Sequence, residues 1–175
     1  MTDLENAALQ LATAAHRGQL RKFTGEPYIA HPVAVAKLVR SVPHDEAMIA
    51  AALCHDVVED TAFSIEQIAA TLGPEVAGLV SDLTDVSRPG DGNRATRKAI
   101  DRAHSAAASA RAQTIKCADL IENAASILER DPEFAKVFLR ETEELLAVLT
   151  QADASLRRTA LKIVDDAKTP QRGSR

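Results

Sequence analysis

The 175-residue chain is 46% hydrophobic and 26% charged, the size and composition of one soluble domain with a substantial core. Aromatics make up only 3% and Trp is absent, so the core must rest on Leu, Ile, Val and Ala, which suits close helix packing; the expected fold class is all-α, a compact helical bundle spanning 1–175. A net charge of -4 argues against a nucleic-acid surface. No apolar run approaches membrane-spanning length and no signal-peptide pattern opens the chain, so the expected location is the cytoplasm, with the oligomeric state left open.

Leu4, Ala7, Ala8, Leu11, Ala14 and Ala15 recur at helical spacing and predict a helix over Thr2–His16, ended by Gly18. Gln19 to His31 reads as a loop by its Gly and Pro content. Within it Arg21 and Lys22 could hold an anion, and Arg21 could stack on a ring; a solvated basic loop is the competing reading. Pro32 suits the first turn of a helix running to about Arg40, which places His31 at its start. Pro43 and Asp45 open the next helix, predicted to carry Cys54-His55-Asp56 and to break between Thr61 and Ser64. Cys54 and Cys117 fall in separate core helices without CxxC spacing, as expected of buried free thiols.

Ser64 and Gln67 form a capping-box pattern, and Gly73-Pro74 stops one helix and starts another. Ser87 to Arg94 is the clearest break. Arg88, Arg94, Arg97, Lys98 and Arg102 gather in and after it, either as a solvated face or as a phosphate clamp. From Ala107 to Arg130 the pattern is helical again, with Asp119 and Asn123 on one side and a buried acid that needs a partner. Asp131 caps a helix beginning at Pro132, and a last helix is predicted over Asp153–Asp166, followed by a frayed tail at 169–175.

The chemistry concentrates in Ala51–Thr61. Read as one helix, this stretch sets His55, Asp56, Glu59 and Asp60 on neighbouring turns, a patch of like charges that a cation would neutralise. A satisfied structural cluster is the alternative. With His31 and Asp119 the set has two histidines and two carboxylates. Such mixed N and O donors suit Mn²⁺, with Fe²⁺, Co²⁺ and Mg²⁺ as alternatives. A water activated there would be a nucleophile, and Glu59 or Asp60 could orient it or take its proton.

In order, His31, then His55-Asp56, then Asp119 resembles the HD-domain metal-dependent phosphohydrolases, and most closely their alarmone hydrolase branch. That branch comprises the hydrolase half of RelA/SpoT enzymes and small alarmone hydrolases such as the animal Mesh-type enzymes. Three blocks carry the likeness: Arg21-Lys22 with Gly25–Pro32, Leu53–Thr61, and Lys116–Asn123. The resemblance implies an HD-type bundle in which His31, His55, Asp56 and Asp119 bind Mn²⁺. It also implies that Glu59 and Asp60 serve the attacking water, that Arg21 stacks on guanine, with Lys22 able to exchange roles, and that Asn123 contacts the nucleotide sugar. The reaction implied is removal of the 3′-diphosphate of guanosine tetra- or pentaphosphate. Leu120 and Ala124 stand where those enzymes usually carry arginine, a loss that Arg88, Arg94, Arg97 and Lys98 would have to offset. Another nucleotide, such as an adenosine alarmone, a nucleoside phosphate or NADPH, is the second substrate expectation. A non-catalytic nucleotide-binding domain is the third.

Overall fold

Helix α3 (Glu46–Cys54) is buried at every residue from Ala47 to Cys54, and several other helices pack against it. Its side chains are Met, Ile, Leu, Cys and four alanines. A helix apolar on all sides must be enclosed, and its alanines let neighbouring helices approach closely. The computed structural model describes residues 1–168, so the expected tail at 169–175 lies outside the described residues. Helix α1 (Asp3–Ala15) and helix α2 (Ala30–Val39) lie against α3, as does α6 (Pro74–Leu83), which is paired in turn with α5 (Ile65–Leu72).

The second half is organised by α8 (Ala110–Arg130), 21 residues long, or about 31 Å at 1.5 Å per residue. It packs on α2 and α6 through one side and on α9 (Pro132–Leu146) and α10 (Ala154–Lys168) through the other. Helix α7 (Arg94–Ala107) buries only Asp101 and Ser105 and lies across the outside, against α6 and α9. The caps expected at Ser64 and Asp131 are present, and Thr2 adds one that was not expected. Thr2 forms a capping box with Glu5, Ser64 forms one with Gln67, and Asp131 accepts from the Phe134 amide. Buried Gln113 ties two connections together, donating to the Ala108 carbonyl at 3.1 Å and accepting from the Gln151 amide at 2.9 Å.

One expectation needs correcting. The helix that starts at Glu46 does not carry His55 and Asp56 onward; it ends at Cys54, and a separate turn of helix, α4 (Val57–Asp60), follows. His55 and Asp56 form the turn between them, both still in right-handed helical backbone conformation. The Asp60 amide bonds to the Asp56 carbonyl at 2.9 Å, so Asp56 caps α4 while α3 stops on the core side. This break aims His55 into the core and leaves Glu59 and Asp60 at the surface. Cys54 and Cys117 are fully buried free thiols, as expected.

Candidate metal centre

Three parts of the fold supply four side chains. His31 comes from the first turn of α2, His55 and Asp56 from the α3–α4 turn, and Asp119 from the middle of α8. His31 Nε2 lies 3.2 Å from His55 Nε2 and 3.2 Å from Asp119 Oδ1. Asp56 Oδ2 lies 3.4 Å from His31 Nε2 and 3.2 Å from His55 Nε2. Asp119 Oδ1 is 3.6 Å from His55 Nε2. Each imidazole is fixed through its other nitrogen: His55 Nδ1–H donates to the Ala52 carbonyl at 2.8 Å, and His31 Nδ1–H donates to the Glu122 carboxylate. The donor atoms of His31, His55 and Asp56 thus lie within 4.8 Å of one another, and Asp119 approaches both Nε2 atoms from α8.

Four acceptors aimed inward repel one another unless positive charge sits among them. Burial pushes the His31 imidazole down, but hydrogen bonds to Asp119, Asp56 and Glu122 outweigh it and lift it to about 11. Burial likewise lowers His55, and the Asp56 charge with Asp119 lifts it to about 10. Burial would raise Asp119, yet the two imidazoles and the Lys116 ammonium hold it well below the usual carboxylate range. The negative charge that raises both imidazoles also favours a divalent cation among these side chains, which would bind with release of the ring protons. The mixed N and O donors, with each ring held through its other nitrogen by the Ala52 carbonyl or the Glu122 carboxylate, fit such a cation.

The surroundings assign the remaining residues. Tyr28 donates its hydroxyl to Asp56 Oδ2 at 2.6 Å, and Asn123 Nδ2 donates to Asp119 Oδ1 at 2.7 Å. Glu59 faces the segment after α6, accepting the Asp85 amide at 2.7 Å. Its side chain keeps much of its surface open. Enough protein surrounds the carboxyl that desolvation, helped by the Asp85 and Asp56 charges against Lys116 and the Asp85 amide, raises it to about 7. Asp60 sits on the opposite side, beside Tyr28, with its carbonyl accepting from Gln19 Nε2 at 2.9 Å.

The centre separates two recesses that share Asn123 and Phe134. One, of about 250 Å³, is lined by Arg21, Lys22, Phe23, Tyr28 and His31. The other, of about 200 Å³, runs between α7, α8 and α9 and is lined by Asp85, Arg94, Lys98, Lys116, Asp119 and Leu120, among others. The expected substrate contacts thus divide. Arg21 and Asn123 lie beside the centre, while Lys22 is largely exposed and pairs with Asp131 at 3.4 Å. Arg94 and Lys98 reach the second recess but are engaged with Glu141 and Asp85 at 2.7 and 2.9 Å. Arg88 and Arg97 line only an adjoining groove, shared with Arg94 and Lys98. Arg102 pairs with Glu144 on α9. Leu120 and Ala124 are buried, and Lys116 is the α8 cation that lines the second recess. Sequence reasoning missed Tyr28 and Glu122. The Tyr-Ile-Ala-His run placed Tyr28 one short turn before His31, a usable signal; Glu122 carried none, because its partners lie far away in sequence.

The chain is similar to several known proteins. The chain is 43% identical over 134 residues to a probable guanosine-3′,5′-bis(diphosphate) 3′-pyrophosphohydrolase of Synechocystis, covering 75% of this chain and 18% of that protein. It is 40% identical over 118 residues to the MESH1 guanosine-3′,5′-bis(diphosphate) 3′-pyrophosphohydrolase of Drosophila melanogaster, covering 66% of this chain and 64% of the relative. The chain therefore spans about a fifth of the Synechocystis protein and under two thirds of MESH1. A solved structure of a metazoan SpoT ortholog that hydrolyses ppGpp superposes with a TM-score of 0.86 at 29% identity, covering 96% of this chain and 97% of that one. A family model for the HD domain matches residues 8–155. On that match, and with the His-Asp pair at the centre of the fold, the chain belongs to the HD-domain family.

Proposed function

We propose that this chain is a Mn²⁺-dependent hydrolase that removes the 3′-diphosphate from (p)ppGpp-type alarmones, releasing pyrophosphate and GDP or GTP. The observation that carries the reading is the convergence of His31, His55, Asp56 and Asp119 on one point, between two recesses and within a fold shared with ppGpp hydrolases. The chemistry available there, when a divalent ion is bound, is Lewis-acid polarisation of a phosphoryl oxygen and a lowered pKa for the attacking water.

The chain's own residues do the rest. Glu59 takes the proton from the water, and the Asp85 amide holds its carboxyl in place. The water oxygen adds to the phosphorus attached to the ribose 3′ oxygen. The bond from that phosphorus to the 3′ oxygen breaks, and the 3′ oxygen takes a proton. Tyr28 fixes Asp56 and Asn123 fixes Asp119, so the donor set is held before substrate arrives. Arg21 offers its guanidinium face to the base, and Lys98 and Lys116 offset charge on the diphosphate side.

The test is product analysis of metal-stripped protein with guanosine tetraphosphate, with and without Mn²⁺. GDP and pyrophosphate formed only with Mn²⁺ support the reading. A second reading, hydrolysis of another nucleotide, is favoured by buried Leu120 at the recess wall and by cleft cations already paired with acids. Running adenosine 3′-diphosphates in parallel separates the two. Inactivity on both with Mn²⁺ present refutes an alarmone hydrolase.

A further inference from the structure

Glu122 touches both halves of the site. One carboxylate oxygen accepts the His31 Nδ1–H, and the other accepts Arg21 Nη1 at 2.7 Å. Arg21 is held a second time by Ser126 Oγ at 3.3 Å, one turn further along α8. The three side chains are 3%, 10% and 19% exposed for His31, Arg21 and Glu122, so these bonds are made in a largely dry environment where charge-assisted pairs are strong. His31 donates a ring nitrogen to the centre, and Arg21 lines the recess beside it. The same carboxylate therefore fixes the plane of a metal ligand and the plane of the residue offered to the substrate.

We infer that Glu122 is a positioning residue that couples the metal centre to the base-binding recess, orienting His31 through one oxygen and Arg21 through the other. It touches neither the reacting atoms nor the cation. As acceptor for His31 it raises the basicity of the ring and sets its tautomer. As partner of Arg21 it neutralises the guanidinium, so Arg21 presents a flat face and not a free charge. This directs the recess towards an aromatic base in preference to a second phosphate. The inference rests on the proposed function for the nature of the ligand, but not for the metal arm.

The two oxygens can be separated by mutation. Glu122→Gln keeps an acceptor for His31 but removes the charge that holds Arg21; Glu122→Ala removes both. Mn²⁺ binding to metal-stripped protein, measured by calorimetry, is expected to weaken roughly 10- to 100-fold in Glu122→Ala and much less in Glu122→Gln. The KM for guanosine tetraphosphate is expected to rise in Glu122→Gln as far as in Arg21→Ala, with no further rise in the double variant. A tie that only stabilises the fold would lower the melting temperature without separating Gln from Ala in metal affinity. Mn²⁺ affinity in Glu122→Ala within twofold of wild type, with helical content unchanged, overturns the inference. So does an unchanged KM in Glu122→Gln beside a raised one in Arg21→Ala, a comparison that survives if Glu122→Ala fails to fold. Wild-type protein that binds no divalent cation also overturns it. If the wild type binds Mn²⁺ but hydrolyses neither guanosine nor adenosine substrates, the functional reading falls, and the calorimetric contrast between Ala and Gln still decides the role of Glu122.

Discussion

Asp119 and Glu59 are both acids in one small region, and their surroundings push them in opposite directions. Asp119 is surrounded by imidazoles and an ammonium and stays ionised; Glu59, desolvated and beside other acids, sits near neutrality. That divergence suits Asp119 to the proposed role of ligand and Glu59 to that of base. Asp119→Ala is expected to abolish turnover while circular dichroism keeps its helical signal, and full activity in that variant excludes the centre. Glu59→Gln should slow turnover by roughly 10²- to 10⁴-fold. The base works ionised, so the wild-type rate should climb with pH through an inflection at or below about 7 and then level. A nearby cation can only pull that carboxyl lower. An unchanged inflection in Glu59→Gln removes it from the base role. His31, His55, Asp56 and Asp119 were legible because ligand residue types stand out in apolar helices. Glu122 was not. It occupies α8 like any solvated glutamate, and its partners His31 and Arg21 are brought to it only by the packing of α2 and the preceding loop.

At the level of elements, the helices were legible from periodicity and caps, since Pro32, Pro74 and Pro132 each stand in a first turn and Gly73 marks a stop. The break after Cys54 was not, because no Gly or Pro signals it and His55 and Asp56 keep helical dihedrals. The basic stretch after Ser87 was legible as a turn followed by a helix, but its role was not, because acids on other elements engage Arg94, Lys98 and Arg102. Asp101 is what holds this stretch. It accepts the Val86 and Ser87 amides at 3.0 and 2.8 Å and the Ser87 hydroxyl at 2.8 Å, joining α7 to the segment that supplies Asp85. Burial would raise its carboxyl, but those donors and Lys98 hold it below the usual carboxylate value. Asp101→Ala should cost about 1–3 kcal/mol at neutral pH, read from urea unfolding. A depressed folded-state pKa contributes stability above the unfolded value, near 3.9, and loses it as pH falls through the folded value. The gap between wild type and variant should therefore narrow in acid; a gap constant down to acid unfolding contradicts the assignment.

For the molecule as a whole, the centre lies where both halves of the bundle meet, between the helices around α3 and those on α8. Anything bound to the folded site and not to the unfolded chain stabilises all of it at once. Mn²⁺ at a hundredfold excess over its dissociation constant should add about 2.7 kcal/mol, or roughly 5–10 °C in melting temperature for a domain of this size. A chelator should reverse the shift, and a melting temperature indifferent to every divalent ion argues against the site. Among the described residues no helix is long and apolar enough to cross a membrane. The bond from Tyr28 to Asp56 has a practical consequence at this scale. The chain has one Tyr and no Trp, so Tyr28 is its only strong ultraviolet emitter, and it donates directly to a carboxylate of the centre. A phenol hydrogen-bonded to a carboxylate is quenched, and drawing that carboxylate's electrons elsewhere restores its light. Cation binding at Asp56 should therefore change the emission of the unlabelled protein, and a divalent-ion titration that leaves it unchanged argues against Asp56 as a ligand.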